Sequence, residues 1–159
     1  MADLAKDKVL LPIHGKPTLQ YSIEAFAESD AVDSLVIVHR DEPQRHAIES
    51  FLPSDKFSNI IWAQGGDERQ DSVWTGLSAA PANNEVVLIH DGARPLITPK
   101  TINAVAQAAR DSQVACVAKR TNDTIKHASP SGNGYILKTL DRSNIWSMPT
   151  ARLCGSNPP

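Results

Sequence analysis

The chain has 159 residues, a formal net charge of −2 and 41% hydrophobic residues, which suits one globular domain with a real core. Near-neutral charge offers no basic face for nucleic acid, and no apolar run approaches the ~20 residues of a membrane span or resembles a secretory leader. Cys116 and Cys154 show neither metal-ligand spacing nor a disulfide framework, so a cytoplasmic location is expected.

Helical and strand periods alternate along the chain. Lys16-Pro17 precedes an amphipathic helix carrying Leu19, Ile23 and Phe26 at i, i+4 and i+7. Leu35 to Val38 reads as a short buried strand, and a helical stretch follows around Glu42 to Leu52. Ile60-Ile61-Trp62 is the next strand; after Gly65-Gly66-Asp67 comes a helix with Val73 and Leu77. Val86-Val87-Leu88-Ile89 predicts a strand buried on both faces. Thr98-Pro99 opens a helix with Ile102, Val105 and Ala108 inward, and Val114 to Ala118 is the following strand. This βαβα order predicts an α/β fold, a three-layer and mostly parallel sheet with helices on both faces. Residues Lys119 to Trp146 break the rhythm; Gly132-Asn133-Gly134 marks a hairpin-type excursion there.

Three corners and one lysine can carry chemistry. The strand from Val86 stops at His90-Asp91-Gly92-Ala93-Arg94-Pro95. Ligands of open α/β sheets bind beyond the carboxyl ends of the strands. Asp91 and Arg94 could there read a polyol hydroxyl and a phosphate, or could simply cap a turn and face solvent. In Gly65-Gly66-Asp67-Glu68-Arg69-Gln70-Asp71-Ser72 the glycines permit close backbone approach, and the helix start offers unpaired N–H groups to an anion. Stabilisation of the helix dipole explains Asp67 and Glu68 equally well. Ser72 could reach a ribose hydroxyl or bond its own helix. Asp123-Thr124-Ile125-Lys126 and Asp141-Arg142 fall in the irregular excursion, where an arginine is most often a solvated charge. Lys8 precedes Val9-Leu10-Leu11-Pro12 and suits either a surface position or a point charge against polyphosphate. The five histidines show no ligand spacing and none adjoins a plausible nucleophile, so hydrolase triads have little support.

Taken together, the segments Lys8 to Pro17, Gly65 to Ser72, Val86 to Pro95, Asp123 to Lys126 and Thr139-Leu140-Asp141-Arg142 resemble, in order and spacing, the 2-C-methyl-D-erythritol 4-phosphate cytidylyltransferase family. The resemblance runs from Lys8 to Trp146 and implies a nucleotide-diphospho-sugar transferase (Rossmann-like) fold with a protruding β-arm at 119–146. It implies transfer of CMP from CTP to 2-C-methyl-D-erythritol 4-phosphate with release of pyrophosphate, in non-mevalonate isoprenoid synthesis. By motif matching, Lys8 stabilises charge on the transition state. Gly66, Asp67, Arg69 and Ser72 bind CTP. Asp91, Gly92 and Arg94 lie where nucleotide meets sugar-alcohol phosphate. Thr124 and Arg142 reach the neighbouring subunit of a homodimer through the arm, Arg142 orienting the attacking phosphate. Mg²⁺ is expected to be held mainly by the CTP phosphates, with no dedicated protein cluster.

Departures from the family pattern set further expectations. Family members open on a buried strand and a loop of the form Pro-Ala-Ala-Gly-x-Gly-x-Arg-Met, whose last residue Met1 matches. The strand, the phosphate-cradling glycines and the arginine are therefore expected to be missing, the adjoining strands to lack a central partner, and turnover to be impaired. Residues 1–148 form a partial cytidylyltransferase domain in this reading, and 149–159 an unrelated or disordered tail. The related ribitol-5-phosphate cytidylyltransferases share the Gly-Gly and Asp-Gly-Ala-Arg-Pro corners and are the alternative enzyme class. A non-catalytic dimerising fragment, or one that does not fold stably, is the alternative outside catalysis.

Overall fold

A computed structural model describes residues 7–52, 60–130, 133–148 and 151–155. The readings that fell on Met1, on Gly132 and on 149–150 and 156–159 lie outside the described residues. A small antiparallel hairpin comes first, β1 (Pro12–Ile13) with β2 (Lys16–Pro17). Its turn uses positive φ at His14 (50°) and Gly15 (81°), a conformation that glycine adopts without steric cost.

The alternation that follows is α1 (Thr18–Ala27), β3 (Leu35–His39), α2 (Glu42–Glu49), β4 (Ile60–Gln64), α3 (Arg69–Ala79), β5 (Val86–His90) and α4 (Pro99–Ser112). Strands β3 and β4 pair in parallel from Leu35↔Ile60 to His39↔Gln64, joined by α2. The caps explain where the helices begin. The Asp41 carboxylate accepts from the Gln44 N–H at 2.9 Å with Pro43 in the first turn, and the Thr98 hydroxyl accepts from Thr101 N–H at 3.3 Å ahead of Pro99.

Two cores hold the layers. Ile23 of α1, Ile37 of β3 and Ile48 of α2 form one, with Leu35, Ile60 and Trp62 against it. Ala25 and Phe26 of α1 with Ile102 of α4 form the other, packed against Leu88 and Ile97. Helix α3 covers the opposite side of the strands, where Val38 of β3 meets Gly76. The α/β three-layer arrangement read from the periodicity is the one observed. Within α4 the inward set is Ile102, Ala106 and Ala109; Ala108 is exposed, one position away from the expected stripe.

The strands fall into two groups. No ladder joins β3 to β5 among the described residues. A cavity of about 400 Å³ separates them, lined by β3, β5, α1 and α3. Val86 to Ile89, predicted to be buried on both faces, are half-buried throughout because one edge and part of one face look into this space. The far edge of β5 pairs antiparallel with β10 (Ala151–Gly155), from His90↔Ala151 to Val86↔Gly155. Part of the segment expected to lie apart as a tail thus forms a strand. That ladder also accounts for Val114 to Ala118, which do not form the predicted strand: the β5 edge is occupied, only Cys116 makes a bridge, and Val114 is exposed.

Beyond α4 the chain forms two short antiparallel pairs, β6 (Lys119–Arg120) with β9 (Trp146–Ser147) and β7 (Lys126–Ala128) with β8 (Ile136–Thr139). A 3₁₀ turn at Arg142–Asn144 lies between β8 and β9. No helix among the described residues is long and apolar enough to cross a membrane.

Thr98→Ala removes the hydroxyl that starts the longest helix and is expected to lower unfolding stability by about 1 kcal/mol in a urea titration. An unchanged midpoint would show that Thr98 does not cap α4.

Candidate functional site

The carboxyl ends of β3, β4 and β5 meet on one side of the molecule. Gly65 N–H, just after β4, donates to the His39 carbonyl at the end of β3 at 2.8 Å. Arg69, the first residue of α3, reaches across to the corner after β5, its Nη2 donating to Asp91 Oδ1 at 2.7 Å. Arg94 Nε donates to the other oxygen, Oδ2, at 3.1 Å. One carboxylate therefore stands between two guanidiniums, leaving a net positive charge. The arginine side chains are 54% and 51% exposed, against 28% for Asp91, so the cationic groups face outward. Planar guanidiniums so held suit phosphate recognition.

The Gly65–Ser72 corner supplies the polar rim. Asp71 Oδ2 accepts from the Glu68 N–H at 3.2 Å, closing the start of α3. A Cβ on Gly66 would collide with the Asp71 side chain, so this position requires glycine. Ser72 Oγ lies 3.5 Å from the Gly66 carbonyl, at the limit of a hydrogen bond, and remains open to another partner. Asp67 and Gly66 are exposed beside it.

Lys8 is exposed in a turn anchored by Asp7, whose carbonyl accepts from Leu10 N–H at 3.0 Å. Asp7 is buried and accepts from Gln44 Nε2 at 2.6 Å and from Arg40 Nη1 at 3.2 Å. The next residue, Val9, backs onto Gly92, where a Cβ would meet Leu19 at 2.9 Å and Val9 at 3.5 Å. Val9, Arg69, Ser72, Asp91 and Gly92 line the same cavity; Lys8, the residue before Val9, is not among its lining residues. Thr124 and Arg142 lie in the separate antiparallel segment, both exposed; Arg142 Nη1 there donates to the Asn122 carbonyl at 2.6 Å.

Sequence reading missed two groups beneath this corner. His90 Nε2 lies 3.1 Å from the Arg94 carbonyl and 3.3 Å from Ser22 Oγ, and Ser22 Oγ donates to the same carbonyl at 3.1 Å. A carbonyl only accepts, so Nε2 carries the proton and Nδ1 is bare, buried and without a partner among the described residues. A serine thus does adjoin a histidine, contrary to expectation, but its proton is committed to Arg94 and the pair fastens the corner. The contact spans 68 residues, beyond the reach of any local spacing. Burial pushes the His90 pKa below its usual value despite the bond to Arg94 and the charge of Asp91.

Comparison with known proteins points to one family. A sequence model of the 2-C-methyl-D-erythritol 4-phosphate cytidylyltransferase family matches residues 2–153. The curated relative of that name from Symbiobacterium thermophilum is 38% identical over 146 residues, covering 92% of this chain and 59% of its own length. That from Caldanaerobacter subterraneus is also 38% identical, over 151 residues, covering 92% and 64%. The chain thus spans about three-fifths of the length of these relatives. In fold it is similar to the 4-diphosphocytidyl-2C-methyl-D-erythritol synthase structure from Anaerococcus prevotii, with a TM-score of 0.82 at 23% identity, covering 91% of this chain and 62% of the other.

The His90 shift fixes the sign of a pH effect. The unfolded chain takes up a proton near pH 6.5, whereas the native state resists it, so stability present above 6.5 is lost as the pH falls below that value. Urea midpoints measured from pH 8 to pH 5 are expected to fall less in His90→Gln than in the unmodified chain. Identical slopes would contradict the assignment.

Proposed function

Since the chain belongs to the 2-C-methyl-D-erythritol 4-phosphate cytidylyltransferase family, we propose that its cationic corner serves CMP transfer from CTP to 2-C-methyl-D-erythritol 4-phosphate. The observation that carries this reading is Asp91 held between Arg69 and Arg94 at the mouth of the cleft. An oxygen of the sugar phosphate attacks the α-phosphorus of CTP. The new P–O bond forms as the bond to the β-phosphate oxygen breaks, and pyrophosphate leaves. Such chemistry asks the protein mainly for positioning and charge neutralisation.

In this reading Gly66, Asp67 and Ser72 hold cytosine and ribose, and the start of α3 with Arg69 faces phosphate. Asp91 and Gly92 mark the junction of the two substrates, and Arg94 takes the sugar phosphate. Lys8 neutralises charge as the pentavalent phosphorus forms. The side chains do not compose a magnesium cage: both Asp91 oxygens already accept from arginines, and no group of three His, Cys, Asp or Glu converges among the described residues. Magnesium would arrive with the triphosphate, its ligands phosphate oxygens and water. The segment 119–146 serves as a dimer arm that carries Thr124 and Arg142 to a neighbour. The exposed row Tyr135, Ile136 and Leu137, at 70%, 60% and 59%, favours that role. A cytoplasmic setting suits the exposed free thiol of Cys116.

The test is formation of the CDP-linked product from CTP with Mg²⁺, comparing methylerythritol phosphate with ribitol 5-phosphate. Lys8→Ala is expected to lower the rate about 10²–10³-fold, as loss of an electrostatic stabiliser does elsewhere. A rate indifferent to Lys8, or preference for ribitol phosphate, would contradict the proposal.

A further inference from the structure

Asp7 is a carboxylate only 7% exposed, and a buried charge of this kind must be matched by donors. Its donors come mainly from the corner between β3 and α2. Gln44 Nε2 donates to Oδ2 at 2.6 Å, Arg40 Nη1 pairs with the same oxygen at 3.2 Å, and the Val9 N–H donates to Oδ1 at 3.3 Å. Gln44 is held in turn, its Oε1 accepting from the Arg40 N–H at 2.6 Å, while Arg40 Nε donates to Asp41 at 2.9 Å. Helix α2 does not need Asp7 to begin, since Asp41 already caps it through the Gln44 N–H. What the buried carboxylate fastens is the turn that follows it. The Leu10 N–H donates to the Asp7 carbonyl at 3.0 Å, and the Val9 carbonyl accepts from the Leu19 N–H of α1 at 2.9 Å. The turn is thus tied to the β3–α2 corner on one side and to α1 on the other. Lys8 stands exposed in it, and Val9 lies against Gly92, beside Asp91.

We propose that Asp7, Arg40 and Gln44 are positioning residues for the transfer reaction, which fix the point from which the Lys8 side chain departs. The assignment rests on the reading of Lys8 as the group that neutralises the reacting phosphorus. A lysine is a compact charge on a flexible four-carbon stem, so its aim depends on how firmly its backbone is held. A misplacement of about 1 Å, even from a change remote from the chemistry, can cost ~10²-fold in rate. The clamp also settles a conflict of charge. An unengaged Asp7 carboxylate would draw the neighbouring ammonium back onto itself. With Gln44, Arg40 and the Val9 N–H on its oxygens, Asp7 leaves Lys8 to an outside anion. Arg40, 62% exposed, supplies the compensating positive charge at the carboxyl end of β3.

The test is a double-mutant cycle on the full chain, with kcat and KM for CTP read from formation of the CDP-linked product with Mg²⁺. Asp7→Ala is expected to lower kcat at least tenfold and to change KM less than twofold, the pattern of a contact made only in the transition state. Added to Lys8→Ala, the same substitution should cost less than threefold more, because it acts through Lys8. Arg40→Ala, at an exposed position, should also lower kcat at least threefold and speed amide exchange of Leu10 at least tenfold; it carries the test if Asp7→Ala fails to fold. Arg45→Ala, on the same helix but outside the clamp, should leave kcat unchanged. Full kcat in Asp7→Ala and Arg40→Ala beside a slow Lys8→Ala would overturn this inference alone. Equal losses from Asp7→Ala with and without Lys8 would show a merely structural role and overturn it too. No product from the unmodified chain, or a rate indifferent to Lys8, would instead contradict the proposed reaction, and this inference with it.

Discussion

Helix α1 holds the molecule together. Ile23 enters the core shared with β3 and α2, and three residues later Phe26 enters the core shared with α4 and Leu88 of β5. Ser22 bonds the Arg94 carbonyl, and Ser29 just beyond the helix bonds Asn103 of α4 at 2.5 Å. Among the described residues no backbone ladder joins the two halves of the sheet, so these contacts of α1 keep them aligned. A helix with apolar residues three apart covers neighbouring patches of surface, so one short element serves two cores.

The charged corner repeats that bridging at the open end. Arg69 belongs to the β4–α3 corner and Asp91 to the β5 corner, and their ion pair crosses the division. Exposed ion pairs contribute little to stability. The value of this one lies in geometry: it fixes two guanidiniums against one carboxylate and leaves a surplus positive charge where strand ends converge. Underneath, His90 and Ser22 hold the Arg94 backbone, so the arginine departs from a fixed carbonyl and not from a loose loop.

Local chemistry was legible from sequence where the causes are local. The start of α4 follows from Thr98-Pro99, the start of α1 from Lys16-Pro17, and the strand at Val86 from its apolar run. What escaped is non-local. The half-burial of Val86 to Ile89 depends on the cavity beside them, and the loss of a strand at Val114 to Ala118 depends on β10 having taken the β5 edge. Asp91 and Arg94 were legible as a pair by spacing, but Arg69 joins them across 22 residues, and only motif matching placed it in the same site. Thr124 and Arg142 stand apart in the antiparallel segment; their place in the site rests on the family pattern and a second subunit.

The central claim is that the Arg69–Asp91–Arg94 corner recognises a phosphate carried by a polyol. Calorimetric titration of 2-C-methyl-D-erythritol 4-phosphate into the chain, beside Arg94→Gln, tests it most directly. The account predicts saturable binding that Arg94→Gln weakens by about 1.5–3 kcal/mol, the range for hydrogen bonds to charged groups, with inorganic phosphate binding more weakly than the ester. Equal affinity of the two proteins for the sugar phosphate would contradict it.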